Sequence, residues 1–231
     1  MEPPVTLTAV AQDYLKVVWS AQEWSDEPVT TKLLAERLGV GASTVSETVR
    51  RLATQGLLDH ARYGAVQLTA RGRDHAVEII RRHRLIETFL VQTLGYGWDE
   101  VHDEAEVLEH AVSDRMVDRI DDLLGHPVRD PHGDPIPTRD GQVRRVDAEL
   151  LAHVSAGTQG VVARISDADP AVLRTLAEQG IDLDVGIELL ARDERTGAIR
   201  VRTTDTDGTT APEPLELGLA AVSSIWVSLR A

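Results

Sequence analysis

The sequence predicts a mainly α-helical protein with small β parts: an amino-terminal winged helix-turn-helix, a helical middle part and a small, mostly antiparallel carboxy-terminal β-barrel. Two short helical patterns joined by a glycine-containing turn come just before a hairpin pattern. Two longer stretches, residues 72–94 and 100–124, carry apolar side chains at helical spacing. Beyond residue 157 the pattern changes to short β-rich runs separated by Asp, Gly and Pro clusters.

The amino-terminal helices are defined by their apolar spacing and by the residues that begin and end them. Residues 8–22 place apolar side chains at helical spacing and predict a first helix. Thr30 precedes a short second helix that Gly39 ends, and Gly56 closes a third. The second and third helices, joined by a tight turn, form a helix-turn-helix.

A hairpin pattern directly follows this motif. Residues 57–61 and 65–69 are short β-rich runs around a turn made by Arg62, Tyr63 and Gly64. A hairpin in this position is the wing of a winged helix.

The two long helices of the middle part need a partner, because the winged helix is too small to bury both of their apolar stripes. We therefore expect a self-associating helical layer. The Pro and Gly density between residue 126 and about residue 157 is typical of a linker. The predicted domains are the winged helix (1–72), a helical domain that self-associates (73–140), a linker (141–157) and the β-barrel (158–231).

The carboxy-terminal part contains five short β-rich runs, with one helix at about residues 170–179 between the first two. The runs are residues 160–165, 186–192, 198–204, 215–218 and 224–229. Their length and spacing predict the small antiparallel barrel.

Composition excludes several kinds of site. The 231 residues include no cysteine, so disulfides, thiolate metal sites and cysteine nucleophiles are absent. No apolar run approaches the roughly 20 residues of a membrane helix, and the chain starts without a basic segment followed by an apolar one. We therefore expect a cytoplasmic protein that does not bind membranes.

The net charge of −14 is unevenly distributed. Residues 1–85 carry 11 basic and 10 acidic side chains, a net charge of +1, whereas residues 86–231 carry 13 and 28, a net charge of −15. Only the amino-terminal third is therefore suited to binding a polyanion such as DNA. Eight of its basic residues form a cluster of arginines between positions 50 and 84: Arg50, Arg51, Arg62, Arg71, Arg73, Arg81, Arg82 and Arg84.

The residues with the most evident chemistry lie between positions 101 and 112. On a helix with about 100° per residue, His102, Glu106, Glu109 and His110 fall within an arc of about 100°. Glu106 and Glu109, three residues apart, repel each other unless a cation lies between them. Imidazole and carboxylate groups on one face therefore predict a divalent metal site.

A second pair lies on the preceding helix, where His83 and Glu87 are one turn apart. Antiparallel packing of the two helices would bring this pair near His102. Two adjacent metal sites are then possible, one with His83, Glu87 and His102, and the other with Glu106, Glu109 and His110.

Taken together, these motifs resemble the diphtheria toxin repressor family of metal-activated transcriptional repressors. The resemblance covers AQDYLKVVW, the helix-turn-helix LAERLGVGASTVSETVRRLATQGLL with its wing, RRHRLIETFL, VHDEAEVLEHAVSD and DPHGDPIP. It also covers the carboxy-terminal part, which looks like the SH3-like, FeoA-type module of the family. The resemblance implies a homodimeric repressor, not an enzyme, that binds palindromic operator DNA when a divalent metal is bound and controls metal-ion homeostasis genes.

The resemblance also implies two metal sites. The primary site would contain Asp13, Glu106, Glu109 and His110, and the ancillary site His83, Glu87 and His102. In some members the third domain adds a ligand, for which Asp167 and Asp169 of the segment ISDADP are the candidates here.

Two positions favour Mn²⁺ over Fe²⁺ as the corepressor. The iron-responsive branch has Met and Cys where this chain has Asp13 and Glu106, and the manganese-responsive branch has carboxylates at both. Oxygen ligands with one imidazole suit Mn²⁺ and give softer metals no advantage. The manganese branch has a further carboxylate one turn after Asp13, where this chain has Lys16, so a close two-metal cluster of that kind is not expected.

By the same resemblance, residues 41–50 enter the major groove of DNA. Arg50 is the best phosphate anchor, and Glu47 stands where the family has a glutamine, so the base preference should differ. The remaining candidates for DNA contact are Ser43, Thr44 and Ser46, although capping of the helix explains Thr44 and Ser46 equally well.

In the mechanism that this arrangement suggests, an ion joining Asp13 of the DNA-binding domain to the dimerisation helix holds the two recognition helices at one separation. Three alternatives remain open: an iron-dependent repressor of the same family, a winged-helix regulator that senses iron or a small molecule, and a dinuclear metal-dependent hydrolase. Against the hydrolase, there is no candidate nucleophile or Gly-rich phosphate loop, so no small organic substrate is expected.

Overall fold

The computed structural model describes residues 7–60 and 64–229. The chain forms two compact units. The first unit comprises residues 1–83, 109–111 and 137–143, and the second comprises residues 84–108, 112–136 and 144–231. Within the described ranges, no helix is long and apolar enough to cross a membrane.

The first unit contains the predicted winged helix-turn-helix. Thr8 and Thr30 begin two of its helices, because their hydroxyl oxygens accept hydrogen bonds from the amides of Ala11 and Leu33. Gly39 ends the second helix in the left-handed conformation, with φ of +65°. The elements are α1 (Ala9–Glu23), α2 (Thr31–Leu38), α3 (Ala42–Thr54), β1 (Leu58–His60) and β2 (Val66–Leu68).

Strands β1 and β2 pair antiparallel, as expected for a wing, with Leu58 opposite Leu68. The predicted turn residues Arg62 and Tyr63 lie outside the described residues. The core of this unit includes Leu15, Leu34, Val49 and Leu52, which come from all three helices. Burial of these side chains leaves the opposite face of α3 exposed.

Three helices follow the wing: α4 (Ala70–Leu94), α5 (Val101–Leu108) and α6 (Asp114–Leu124). The prediction of one helix over residues 100–124 was therefore wrong. Ser113 begins a new helix because its hydroxyl oxygen accepts a hydrogen bond from the amide of Met116. Glu109 and His110 consequently lie in the turn between α5 and α6 and not on one helical face with His102.

The Pro- and Gly-rich stretch after α6, whose composition is typical of a linker, is a packed loop in its first part. The carboxylate of Asp130 accepts hydrogen bonds from the amides of His132 and Asp134, at 2.8 and 2.9 Å. Gly133 has φ of +93°, and a Cβ there would collide with the backbone oxygen of Ala163. Glycine is thus required for the loop to pack closely against the strand that contains Ala163.

The carboxy-terminal part is a six-stranded antiparallel sheet in the order β3-β8-β4-β5-β6-β7, with β7 beside β6 at one edge and β3 beside β8 at the other. Its core is formed by apolar side chains of the strands and of α7, among them Val162, Leu173 and Val201. The elements are β3 (Glu149–Leu150), β4 (Gln159–Ile165), α7 (Pro170–Glu178), β5 (Gly186–Arg192), β6 (Ile199–Thr204), β7 (Leu215–Leu217), α8 (Leu219–Val222) and β8 (Ile225–Leu229). The five predicted strands and the helix between the first two are confirmed, and the predicted fold class is correct.

Candidate metal centres

The first unit brings together Asp13, Glu109 and His110, which we call the first cluster. Asp13 comes from the middle of α1, whereas Glu109 and His110 follow the end of α5. One ligand atom from each of the three lies within 4.8 Å of the others. The shortest distance, 2.9 Å, joins Asp13 Oδ1 to His110 Nε2, and His110 Nε2 lies 3.4 Å from Glu109 Oε1.

A lysine and a histidine contact the fully buried carboxylate of Glu109. The Lys16 Nζ donates a hydrogen bond to Glu109 Oε1 at 2.6 Å, and both side chains are buried. His83 Nδ1 lies 2.5 Å from the other oxygen, Oε2. The charge of Glu109 is therefore compensated by the chain itself, which makes its burial tolerable.

Gln12 orients the imidazole of His110. Its amide oxygen lies 2.7 Å from His110 Nδ1 and accepts a hydrogen bond from it. In the neutral ring with the proton on Nδ1, the nitrogen that could bind a metal is Nε2, which faces Asp13 and Glu109. A histidine that ligates a metal is commonly held in this way by a hydrogen bond to its other nitrogen. Sequence reasoning missed Gln12, for which the only signal was its position next to Asp13.

The second unit brings together Glu87, His102, His132 and Asp167, which we call the second cluster. Nδ1 of His102 lies 3.0 Å from Asp167 Oδ2 and 3.2 Å from Glu87 Oε1. Ligand atoms of Glu87, His132 and Asp167 lie within 4.8 Å of one another. Two helices and two loops thus contribute one residue each.

The electrostatics of this cluster favour positive charge. Burial alone lowers the pKa of His102, but hydrogen bonds to Asp167, Glu106 and Glu87 raise it to about 12. Burial raises the pKa of Asp167, but the hydrogen bond and charge of His102 hold it well below its usual range. An imidazolium between carboxylates therefore balances their charge in the protein without metal.

Sequence reasoning did not single out His132, which is almost completely buried. Its Nε2 lies 2.7 Å from the backbone oxygen of Trp98, and the Trp98 and His132 rings are stacked with centroids 6.0 Å apart. Burial lowers the pKa of His132, but the charges of Glu87, Asp130 and Asp167 raise it above its usual value. A single histidine in a Pro-rich loop gave no periodic signal that could have revealed this position.

The other predicted ligands have these positions. His83, in the first unit, contacts Glu109, and Glu106, in the second unit, has its Oε1 3.3 Å from His102 Nε2. Asp169 is the N-cap of α7, where its carboxylate accepts a hydrogen bond from the amide of Ala171. Of the two acidic candidates in the third domain, Asp167 is therefore the one placed among potential ligands, while the assignments of His83 and Glu106 stay predictions.

The side chains present fit a divalent ion at both clusters. The donors are carboxylate oxygens and imidazole nitrogens, which are the ordinary ligands of first-row divalent metals. Each cluster also places carboxylates close together, an arrangement that a cation stabilises.

The predicted DNA-contacting residues lie on the exposed face of α3. Ser43, Thr44, Ser46, Glu47 and Arg50 are all exposed, whereas Val45, Thr48, Val49 and Leu52 are buried. The N-cap of α3 is Gly41, so neither Thr44 nor Ser46 caps the helix. The hydroxyl of Ser46 instead donates a hydrogen bond to the carbonyl of Ala42 at 2.9 Å.

Comparison with known proteins accounts for all three parts of the chain. Residues 6–66 match the iron-dependent repressor amino-terminal DNA-binding domain, residues 69–138 the iron-dependent repressor metal-binding and dimerisation domain, and residues 150–227 the FeoA domain. The diphtheria toxin repressor of Corynebacterium diphtheriae is 32% identical over 209 residues, which cover 87% of each chain. The chain belongs to the diphtheria toxin repressor family. The prediction of a transcriptional repressor and not an enzyme is therefore confirmed, and the hydrolase alternative is excluded.

Other members of the diphtheria toxin repressor family respond to different metals. The iron-dependent repressor of Mycobacterium leprae is 37% identical over 131 residues, which are 57% of this chain and 56% of that protein. The match thus spans little more than half of this relative. One similar solved structure is that of a manganese-dependent transcriptional repressor in complex with manganese, which is 58% identical in sequence to this chain. The match covers 95% of this chain and 100% of the other chain, and the two structures superimpose with a TM-score of 0.90.

Proposed function

We propose that this protein is a manganese-dependent transcriptional repressor that binds palindromic operator DNA as a homodimer when Mn²⁺ is bound and controls genes of metal-ion homeostasis. The family supplies the DNA-binding, metal-binding and dimerisation domains. The choice of metal, the form of the operator and the ligand roles are parts of the proposal.

The observation that carries the proposal is the first cluster. Asp13 belongs to α1 of the winged helix, whereas His110 directly follows α5, 97 residues later in the chain. A divalent ion held by Asp13, Glu109 and His110 would neutralise two carboxylates and fix α1 to this segment. Without the ion, Asp13 is held less firmly beside Glu109 and His110, so the orientation of the DNA-binding helices is less restricted.

The ligand types support manganese over iron. The first cluster offers two carboxylates and one imidazole, a hard set that suits Mn²⁺. The manganese-bound repressor, at 58% identity, is more similar in sequence than the iron-dependent repressor, at 37%.

Exposed apolar side chains support self-association. Val107 on α5 and Met116 and Leu123 on α6 are 69%, 48% and 66% exposed, all within the segment that matches the dimerisation domain. Such side chains are unfavourable in water and become buried when two copies associate.

Operator binding tests the proposal directly. A binding sequence is first selected from random duplex DNA with the Mn²⁺-loaded protein, and fluorescence anisotropy then measures the affinity with Mn²⁺ and with chelator. We expect Mn²⁺ to tighten binding at least about 100-fold, in line with a strong allosteric coupling. Equal affinity under both conditions would contradict the proposal, and activation by Fe²⁺ alone would favour the iron-dependent alternative.

The exposed face of α3 gives a second test. Replacing Arg50 with Ala should weaken binding to all DNA sequences alike and reduce the slope of log affinity against log salt by about one, because a phosphate contact is lost. Arg195→Ala, in the exposed turn between β5 and β6, is the matched control and should leave the slope unchanged. If the loss in Arg50→Ala is confined to one base position, Arg50 reads a base and does not anchor a phosphate.

A further inference from the structure

The second unit contains a cavity of about 310 Å³ that is lined by no residue of either candidate metal cluster. Its wall is formed by the loop after α6, by the extended segment before β3 and by β4. Apolar side chains make up part of this wall, among them Val128, Pro135 and Val161. A cavity of this volume with an apolar wall is large enough for a small organic molecule.

The cavity is positively charged, although the surrounding part of the chain is acidic. Three arginines line it, Arg129, Arg144 and Arg145, together with one acidic residue, Asp184, so the lining has a net charge of +2. Residues 86–231 as a whole have a net charge of −15. Positive charge is therefore concentrated at this cavity, where it favours a bound anion.

One of the three arginines already binds a carboxylate of the protein. The Nη1 of Arg129 donates a hydrogen bond to Asp184 Oδ1 at 2.9 Å, and its Nη2 donates to the other oxygen, Oδ2. Arginine commonly recognises carboxylates and phosphates through two such parallel hydrogen bonds. Asp184 compensates the charge of Arg129, so the excess positive charge belongs to the other two arginines.

Arg144 and Arg145 have no partner of this kind. Within residues 7–60 and 64–229, neither guanidinium group forms a hydrogen bond or an ion pair, and both side chains are exposed. The backbone amides of Arg144, Arg145 and Val146 form no hydrogen bond within the same ranges. Two uncompensated charges and several N–H donors on adjacent residues can therefore be satisfied by one anion.

We propose that this cavity binds a small organic anion whose carboxylate or phosphate group contacts Arg144 and Arg145. The apolar part of the anion packs against the wall that Val128, Pro135 and Val161 form. Burial of this part makes an anion with a hydrocarbon group bind better than a bare inorganic ion. The site requires no metal, so the inference goes beyond the proposed function and does not depend on it.

NMR titration of the metal-free, full-length protein tests the inference, with phenyl phosphate, benzoate and inorganic phosphate as probes. We expect phenyl phosphate or benzoate to bind with a Kd of about 1 mM, and inorganic phosphate to bind at least about fivefold more weakly. The amide resonances of Val161, Val162 and Ala163 should shift as the site fills. Tighter binding of phenyl phosphate would assign the site to phosphates, and tighter binding of benzoate would assign it to carboxylates.

The double variant Arg144→Gln, Arg145→Gln should weaken binding of the tighter probe at least about tenfold, because two charged donors are lost. The matched control is Arg195→Gln, Arg200→Gln, which removes the same charge from two exposed arginines of the β5–β6 hairpin and should leave the affinity unchanged. Equal weakening in both double variants would mean a general attraction between charges and would overturn the inference.

Three further results would contradict the proposed site. If none of the probes shifts the β4 amides, the cavity does not bind small anions. If the shifts are confined to α3, the probes bind the proposed DNA-binding face instead. If inorganic phosphate binds as tightly as phenyl phosphate, the apolar wall does not contribute and the assignment to an organic anion is wrong. Failure of Mn²⁺ to promote operator binding would overturn the proposed function alone, because these titrations contain no metal.

Discussion

Lys16 is a buried cation next to a candidate metal ligand. Its ammonium lies 2.6 Å from Glu109 Oε1, the same carboxylate that we propose as a ligand in the first cluster. The manganese branch of the family has a carboxylate near this position. From the resemblance alone, we could infer only that this ligand is missing in the present chain. The structure adds that the Lys16 ammonium already binds Glu109, so a metal would have to compete with this positive charge for the carboxylate.

We predict that Lys16→Met tightens Mn²⁺ binding about tenfold, because one charge-assisted hydrogen bond no longer has to be given up. The same change should lower the free energy of unfolding of the metal-free protein by about 3 kcal/mol, since it leaves part of a buried charge uncompensated. Calorimetry and urea unfolding measure the two effects. The control Lys32→Met, at an exposed lysine, should change neither the Mn²⁺ affinity nor the free energy of unfolding. Unchanged Mn²⁺ affinity in Lys16→Met would show that the Lys16 ammonium does not compete with the metal for Glu109.

Individual residues of the clusters were predictable from the sequence to different degrees. His102, Glu109 and His110 stand out because several ligand types occur close together in a short segment. Asp13 is 97 residues from His110 and nothing in its own surroundings marks it, so only the resemblance indicated it. His132 was missed because its role depends on a loop packing onto α4 and β4, which no local pattern encodes.

At the scale of elements, the loop from Val128 to Ile136 differs most from its prediction. Pro and Gly are frequent both in flexible linkers and in loops with special backbone angles, so composition alone does not separate the two. The deciding feature is the burial of ionisable side chains: Asp130 and Asp134 are buried, and Arg84 lies 3.6 Å from Asp130 and 3.5 Å from Asp134. A buried network of this kind is typical of a structured loop.

This loop should make the stability of the metal-free protein depend on pH. Burial, followed by the charges of Asp134 and Glu87, raises the pKa of Asp130 to about 8, from a usual value of about 4. Between these values the folded protein binds more protons than the unfolded chain, so the contribution of Asp130 is fully present below pH 4 and is lost as the pH rises through 8.

We predict that Asp130→Asn, which keeps an oxygen for the two backbone amides but has no charge, gains stability relative to the parent between pH 5 and pH 9, by on the order of 2 kcal/mol. Urea unfolding in chelator at several pH values measures this difference. For the control Asp207→Asn, in an exposed turn, the difference should not change with pH. If the stability difference between Asp130→Asn and the parent does not change with pH, Arg84 keeps the Asp130 carboxylate ionised over the whole pH range.

At the scale of the whole molecule, the order of parts was predictable because each part has its own pattern: short capped helices, long apolar stripes and short β-rich runs. The break between α5 and α6 was not predictable, because residues 109–112 fit a helical pattern. Only Ser113, which caps the start of α6, marks the place where a new helix begins. This break matters for the site. It removes Glu109 and His110 from the α5 face that bears His102 and places them beside Asp13.

The whole chain lacks soft ligands at the candidate sites. It contains no cysteine and two methionines, and the methionine within the described residues, Met116, is on α6 and exposed. Every candidate ligand is therefore an oxygen or an imidazole nitrogen, which predicts that hardness of the ligands sets the metal response.

The double variant Asp13→Met, Glu106→Cys tests this prediction. It replaces two hard oxygen ligands by a thioether and by a thiol, which must lose a proton to bind a metal. Activation of operator binding by Mn²⁺ should therefore fall by about tenfold or more. The response to Fe²⁺, Co²⁺ or Zn²⁺ should persist or rise. Anisotropy titrations with each metal give the ranking, and Asp13→Asn, Glu106→Gln is the control, since it removes charge without adding sulfur. If the sulfur variant keeps the parent's ranking of metals, hardness does not set the selectivity, and the preference for manganese must come from the geometry of the site.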